Sequence, residues 1–342
     1  MNKNKMRDFY AVILAGGSGE RFWPLSTPEN PKQFLRVFGG ESLIRQSVLR
    51  LGDIVKPSDI YVVTAKTLVN ATRKELPELP ISNIIGEPLR KDTGAAVALG
   101  VSFSDCDEDP VIGFFPSDHM VSKPVRFRTV VKRAIKLASN KRSIVTIGIK
   151  PTYPATGFGY VDAKKGRFVE KPDLKTAKKY LKAGYFWNAG MFFARASVFR
   201  DAFLAHAPGL LPLANLRSHK KSLASLYKNL QRISFDFAVM EGVSHSSANG
   251  MGDISLGVVP GDFGWDDVGG FASFDTYFPH DTRGNVREGP CTVVESDGNI
   301  CVARSARISL LGVKNLVVVT TPDAVLVADK SRISEMKKLI KR

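Results

Sequence analysis

Cysteine is scarce in this chain. Cys106, Cys291 and Cys301 are the three in 342 residues, and no two form a close pair. That argues against a disulfide framework and against a zinc site, and it fits a reducing compartment. Long apolar runs are missing as well, since no stretch approaches the ~20 residues of a membrane span. The basic opening MNKNKMRDF precedes an apolar run too short for a secretory leader, and that run leads straight into glycines. A cytoplasmic location is expected. Acidic residues are in deficit: 33 Asp and Glu face 49 Lys and Arg, a net charge of +16. Such an excess can serve nucleic acid, an anionic membrane or anionic substrates. The cations are spread over helical segments, and neither an aromatic-spaced RNA motif nor a zinc finger accompanies them. A solvated basic surface is therefore expected, with no nucleic-acid and no membrane partner. The apolar fraction of 44% and the length suit one large domain with a small one.

What the chain does have is YAVILAGGSGERFWPLSTPENPKQFL, residues 10–35. Residues 10–15 form a short apolar, β-branched run punctuated at once by glycine, which reads as a buried strand. Gly16, Gly17, Ser18 and Gly19 follow. Three glycines in four residues let the backbone turn its amides toward one point, a concavity that holds phosphate oxygens. Arg21 adds a planar cation, and Lys32, after Pro31, adds a point charge. Together they suit a triphosphate. Neither the Walker loop nor the dinucleotide fingerprint fits this spacing, and a tight strand-to-loop turn with a solvated arginine is the plain alternative.

Beyond the loop the pattern alternates strand and helix. Helical periods over 42–51, 66–76, 92–103 and 125–138 separate strands over 59–65, 83–86, 111–115 and 143–149. Asp92 is a plausible cap of the third helix. Repeated β-α units predict an α/β fold with a doubly wound, mostly parallel, Rossmann-like sheet, its ligands at the carboxyl ends of the strands. After Pro151 the rhythm changes. A hairpin over 160–162 and 167–170, helices over 173–182 and 197–206, and a strand over 185–194 read as an insertion that supplies a wall for a second substrate. A strand at 253–259 returns to the sheet. The domains expected are thus 1–280, with an insertion at about 151–250, and a small β-rich domain over 281–342. The latter closes with a helix over 331–341 that turns Ile333, Met336, Leu339 and Ile340 inward. No sequence repeat stands out.

Several polar groups sit where chemistry is placed. Asp118 follows the strand at 111–115, and Asp266 and Asp267 lie among glycines after the returning strand; each is equally a turn or cap residue on its own. Glu170 and Lys171 stand on an edge strand where an exposed charge pair is common. Asn188 interrupts an apolar strand, and a buried amide must find partners.

LAGGSGERFWPLS followed by PKQFL resembles the signature of the sugar-1-phosphate nucleotidyltransferases, and its WPLS and PKQF parts resemble the mannose-1-phosphate guanylyltransferases. Glu20 departs from the Thr or Ser of many relatives. The resemblance implies that Leu14, Ala15, Gly16, Gly17, Ser18 and Gly19 cradle the nucleotide. PSDH and GWDDVGG are similar to the family's metal-bearing motifs, which implies Mg²⁺ on Asp118 and Asp267, with Asp266 in place of the usual Ser. FVEKPD carries the Glu-Lys-Pro hallmark, so Lys171 would bind the sugar phosphate and Glu170 the sugar hydroxyls. TGFGYVD and WNAGMFF resemble the sugar loop and strand, implying hexose contacts at Gly159 and Asn188. GEPLRKDTGAAVAL looks like the base-reading segment: Glu87, Arg90 and Thr93 match, while Asp92 and Gly94-Ala95 depart. FDFAVME is similar to a further family segment, with Asp236 read as architectural.

The activity so implied is transfer of GMP from GTP to α-D-mannose 1-phosphate. The nucleophile is a phosphate already anionic at neutral pH, so no general base is required, and the chain has no HExxH and no nucleophile elbow. Arg21 would stabilise the leaving pyrophosphate, Lys32 the α-phosphate and Lys171 the attacking phosphate. The partners expected are GTP and mannose 1-phosphate, and a homodimer is compatible with the sequence. With no appended isomerase segment, a single activity is expected. Two alternatives stand beside this: a nucleotidyltransferase for another base or sugar, and a non-catalytic nucleotide-binding subunit.

Overall fold

The structure, a computed structural model, describes residues 9–17, 19–103, 109–216, 222–250 and 252–340. Its contacts gather into two units, one of residues 1–16 and 45–266 and one of residues 17–44 and 267–342.

The first unit is built on a nine-stranded sheet of β1 (Phe9–Ala15), β2 (Ile60–Ala65), β3 (Ile84–Glu87), β4 (Val111–Pro116), β6 (Ser143–Ile149), β7 (Tyr160–Asp162), β8 (Arg167–Val169), β9 (Phe186–Arg195) and β10 (Ser255–Gly261), beside a two-stranded sheet of β5 (Met120–Val121) and β11 (Trp265–Asp266). Seven run side by side in the order β10, β6, β9, β4, β1, β2, β3. β1 lies parallel between β2 and β4, β3 parallel to β2, and β10 parallel to β6. β9 enters antiparallel between β4 and β6. The sheet is therefore mostly parallel, as the β-α rhythm predicts. β2 is buried along its whole length, which is why it reads as a continuous apolar run rather than an alternating one.

Helices α1 (Leu43–Leu49), α2 (Val69–Glu75), α3 (Asp92–Val101) and α4 (Pro124–Asn140) follow the first strands. In α4, Phe127, Val130, Val131, Ala134 and Ala138 are buried at three- to four-residue spacing. In α3 a glycine permits close approach: a Cβ on Gly100 would stand 2.5 Å from Cε1 of Phe114 and 3.0 Å from Cγ1 of Val12. The insertion folds as expected, with β7 and β8 as a hairpin through Gly166 and β7 paired to β9. Its helices include α5 (Leu174–Lys182), capped by Asp173, and α6 (Ala196–His206).

The second unit carries the glycine loop and the C-terminal strands β12 (Val286–Glu288), β13 (Cys291–Val294), β14 (Ile300–Ala303), β15 (Ile308–Leu311), β16 (Leu316–Thr320) and β17 (Val325–Asp329). β12, β14 and β16 stack in parallel, as do β13 and β15, so successive segments form rungs; β17 closes antiparallel on β16. The rungs repeat although no repeat is evident in the sequence. Phe22 and Phe38 pack with Phe271 and Phe274, all four buried, and tie the loop segment to the segment after Asp267. The closing helix differs from expectation. A 3₁₀ segment, Lys330–Glu335, precedes one α-turn, Lys337–Ile340. Met336 is buried while Leu339 and Ile340 are exposed, because a helix this short is marginal without an apolar face to dock. Cys291 and Cys301 are free thiols; Cys106 lies outside the described residues.

Candidate active site

Strand ends position the site residues of the first unit. β1 delivers Leu14 and Ala15, whose carbonyls accept from the Ser117 amide at 3.1 Å and the Thr64 hydroxyl at 3.0 Å. β3 ends in Glu87, which is 7% exposed. A Cβ on Gly16 would stand 3.5 Å from Oε2 of Glu87, so the start of the glycine loop runs past this carboxylate. The Tyr227 hydroxyl donates to Oε1 at 2.9 Å. Burial drives the Glu87 carboxyl up to about 7, the Tyr227 bond opposes that, and the Asp92 charge adds to it. Asp92 opens α3 at φ 70° and accepts from the Thr93 amide at 2.8 Å. The Thr93 hydroxyl oxygen in turn accepts from the Phe235 amide at 2.9 Å, while Arg90 is exposed. Gly94 is confined to glycine because a Cβ would meet the Ile233 carbonyl at 2.7 Å.

β4 leads into Ser117 and Asp118. The short strand β5 that follows pairs with β11, Met120 opposite Asp266, so the PSDHM and GWD segments are zipped together. The Asp118 carboxylate is about one-third exposed and lies 4.0 Å from Nε2 of His119, whose Nδ1 accepts from the Trp265 indole at 3.1 Å. Arg50, buried and over the Phe127 ring at 5.9 Å, has both terminal nitrogens without a hydrogen-bond partner. Burial lowers its pKa to about 10, and the Asp118 charge pulls the other way. No sequence signal marked Arg50.

The insertion forms a second cluster in this unit. Lys171, at φ 41°, donates to Oε1 of Glu170 at 2.6 Å. Burial works against the Lys171 charge, but the bond to Glu170 and the charges of Glu170, Asp236 and Asp92 outweigh it and raise the pKa. A Cβ on Gly159 would stand 2.6 Å from Oε2 of Glu170, so only glycine allows this approach. The Asn188 amide is anchored at both ends. Its Oδ1 accepts from the Thr146 hydroxyl at 2.7 Å and the Gly190 amide at 3.1 Å, and its Nδ2 donates to Oδ1 of Asp236 at 2.8 Å. Burial and then the Glu170 charge push Asp236 up to about 7. Asp236 begins a five-residue π-helical turn, Asp236–Met240, a widened geometry that recurs at functional sites.

The second unit holds the rest. Gly19, at φ 66°, accepts from the Ser26 hydroxyl at 2.6 Å through its carbonyl. A Cβ there would lie 2.4 Å from that of Lys32, so the loop folds onto Lys32 only with glycine. Lys32, 8% exposed, donates to the Asp267 carbonyl at 2.6 Å, and Arg21 donates to the Gly269 carbonyl at 3.4 Å. A Cβ on Gly269 would stand 3.5 Å from both Nη1 of Arg21 and Oδ2 of Asp267. Arg21, Lys32 and Asp267 thus converge on the turn 267–270. Gly17 and Glu20 are exposed, and Ser18 lies outside the described residues.

Among the described residues no group of three or more His, Cys, Asp or Glu side chains forms a metal cage. A hard divalent ion held by one or two carboxylates and substrate phosphates needs none; Asp118 in the first unit and Asp267 in the second each carry a carboxylate of that chemistry. No helix among the described residues is long and apolar enough to cross a membrane.

The family model for nucleotidyl transferases matches residues 10–284, and the model for the MannoseP isomerase/GMP-like beta-helix domain matches residues 289–342. Xanthan biosynthesis protein XanB of Xanthomonas campestris pv. campestris is 34% identical over 98% of this chain and 73% of its own length. Mannose-1-phosphate guanylyltransferase RfbM of Salmonella typhimurium is 33% identical over 97% of this chain and 72% of its own. A crystal structure from Thermus thermophilus, described as a mannose-1-phosphate geranyltransferase, aligns with TM-score 0.87 at 31% identity over 98% of this chain and 99% of that one. The chain belongs to the nucleotidyl transferase family, within the group of the mannose-1-phosphate guanylyltransferases.

Proposed function

We propose that the protein transfers GMP from GTP to α-D-mannose 1-phosphate, giving GDP-mannose and pyrophosphate. The observation that carries this is the pair of clusters just described: a cation-bearing glycine loop with Arg21 and Lys32, and a Glu170–Lys171 pair against the Gly159 backbone. Relatives named mannose-1-phosphate guanylyltransferase along almost the whole chain support the choice of substrates.

In this reading Leu14, Ala15, Gly16, Gly17, Ser18 and Gly19 receive the triphosphate through backbone amides. Glu87, Arg90 and Thr93 face the base. In its ionised form the Glu87 carboxylate would accept from the N1 and N2 donors of guanine. Gly159, Glu170 and Asn188 line the hexose. Lys171 holds the attacking phosphate, Lys32 the α-phosphate, and Arg21 the charge that develops on the departing pyrophosphate. Placing these cations lowers the barrier by position and electrostatics, without a general base.

Nucleotidyltransferases of this family use a divalent metal; we assign it as Mg²⁺, with Asp118 and Asp267 as its carboxylates. Bound there, it would supply charge neutralisation at the phosphates. As functional domains we assign 1–280 to catalysis, with about 151–250 for the sugar, and 281–342 to the β-rich appendage. The location we assign is the cytoplasm.

The test is pyrophosphate release by the purified protein with Mg²⁺ over a grid of nucleoside triphosphates and sugar 1-phosphates. A maximum at GTP with mannose 1-phosphate is expected, and silence across the grid would overturn the proposal. Lys171→Ala should raise the KM for sugar phosphate at least about 10-fold, the loss of a charged hydrogen bond, with little change for GTP. Equal losses for both substrates would contradict the role of Lys171.

A further inference from the structure

The Asn188 amide is bonded to the protein at both ends: two donors reach Oδ1, and one of the two Nδ2 hydrogens is donated to Oδ1 of Asp236. The link fixes the Asp236 carboxyl by one oxygen. The Asn188 backbone amide donates to the Gly159 carbonyl at 2.9 Å, and a Cβ on Gly159 would stand 2.6 Å from Oε2 of Glu170, so the Asn188 end of this link adjoins Glu170, whose charge helps to raise the Asp236 pKa. Asp236 stands at the first residue of the π-helical turn, one residue after Phe235, whose amide is held by Thr93. Asp236 is therefore held from the strand side by Asn188, and the backbone just before it is held by Thr93 at the Phe235 amide. A carboxyl held this tightly by one oxygen beside the sugar-facing groups is oriented for use of the other.

We infer that Asp236 is a specificity-determining residue whose second carboxylate oxygen accepts a hydrogen bond from a hydroxyl of the sugar 1-phosphate, with Asn188 and Thr146 as its positioning residues. The inference rests on the nucleotidyltransferase reading of this site. It divides the labour inside the cluster: Lys171 takes the phosphate of the sugar, Glu170 and Asp236 take hydroxyls, and Asn188 orients Asp236. A pocket built to accept a hydroxyl penalises an analogue that lacks it, because the acceptor is left unpaired.

The experiment uses Asp236→Asn at pH 8. The isosteric amide can keep the oxygen that meets Asn188 and turns the other atom from an acceptor into a donor. It is run with a panel of singly deoxygenated or deoxyfluorinated analogues of whichever sugar 1-phosphate the wild-type enzyme uses best. Wild type should discriminate against one analogue by about 10- to 100-fold in kcat/KM, the range for a hydrogen bond to a charged acceptor. Asp236→Asn should lose a similar factor on the parent sugar, erase the penalty for that one analogue and leave the KM for GTP unchanged. A variant that keeps every wild-type penalty, or that weakens GTP and sugar alike, overturns the inference. Wild type that turns over no sugar 1-phosphate overturns the underlying reading instead. Should Asp236→Asn fail to fold, Thr146→Val and Thr146→Ser decide: Val should raise the KM for sugar phosphate and blunt the same analogue penalty, and Ser should restore both. If Val and Ser behave alike, the inference falls.

Discussion

Glu87 is a carboxyl whose surroundings act on it in opposite directions. Burial at the end of β3 disfavours its charge, the Tyr227 hydroxyl favours it, and Asp92 disfavours it again, leaving a pKa of about 7 against 4.5 for an ordinary glutamate. A folded-state pKa above the unfolded value means that the fold holds a proton that the unfolded chain has shed. Stability from this group is then full below about pH 4.5 and is lost as pH rises through about 7. The shift corresponds to roughly 3 kcal/mol at most. Glu87→Gln should remove this slope, so that the variant gains on wild type by a few kcal/mol between pH 5 and pH 8 in urea midpoints. Parallel profiles for the two proteins would refute the assignment. The comparison must be variant against wild type, since Asp236 is raised too and tilts both curves. Glu87 itself was legible from its motif. Its partner Tyr227, 140 residues away, was not, and neither were the Thr146–Asn188–Asp236 relay nor the buried Arg50. Each depends on a contact that only the folded sheet creates.

At the scale of elements, the C-terminal rungs stack Val286, Ile300 and Val317 in register and are joined at their turns by asparagines. Gly284-Asn285 and Gly298-Asn299 turn the chain at positive glycine φ, and Asn315 itself takes φ 53° at the next turn. Asn299, fully buried, donates to the Asn285 side chain at 2.9 Å and the Val313 carbonyl at 3.2 Å, and accepts from the Leu316 amide at 2.9 Å. Asn299→Ala would strand those groups inside the coil. It should cost roughly 3 kcal/mol, the scale of a few buried groups left without partners, read as a lowered denaturant midpoint. Thr292→Ala, on an exposed position, should cost under about 0.5 kcal/mol. The sequence indicates a small β-rich domain here but not the parallel stacking of its strands. The turns at Asn285, Asn299 and Asn315 are spaced unequally, and the buried positions are short valine and isoleucine runs that fit any small β domain. The α/β sheet was far more legible, because helix and strand periods alternate there without interruption and its buried strands are continuous apolar runs. The closing segment departs from the helix expected over 331–341 because apolar spacing alone does not make a docked face, and of Met336, Leu339 and Ile340 only Met336 is buried.

For the molecule as a whole, the excess of basic residues can now be weighed against the substrates assigned to it. Both GTP and a sugar 1-phosphate are anions, and a net charge of +16 raises their concentration near the protein even where no side chain touches them. Such an effect acts through encounter and binding, and it is screened over about 8 Å at physiological ionic strength. Of the cations assigned to the phosphates, Lys32 is screened less, being 8% exposed and bonded to the Asp267 carbonyl, while Lys171 is about half exposed and tied to the buried Glu170. Raising KCl from 50 to 500 mM should therefore increase the KM of both substrates several-fold while kcat changes by less than about 2-fold. The measurement is steady-state pyrophosphate release at fixed free Mg²⁺. If kcat falls as steeply as kcat/KM, salt is reaching the transition-state contacts of Arg21, Lys32 or Lys171 rather than the approach of the substrates. If neither moves, the net charge plays no part in substrate capture and belongs to a solvated surface alone.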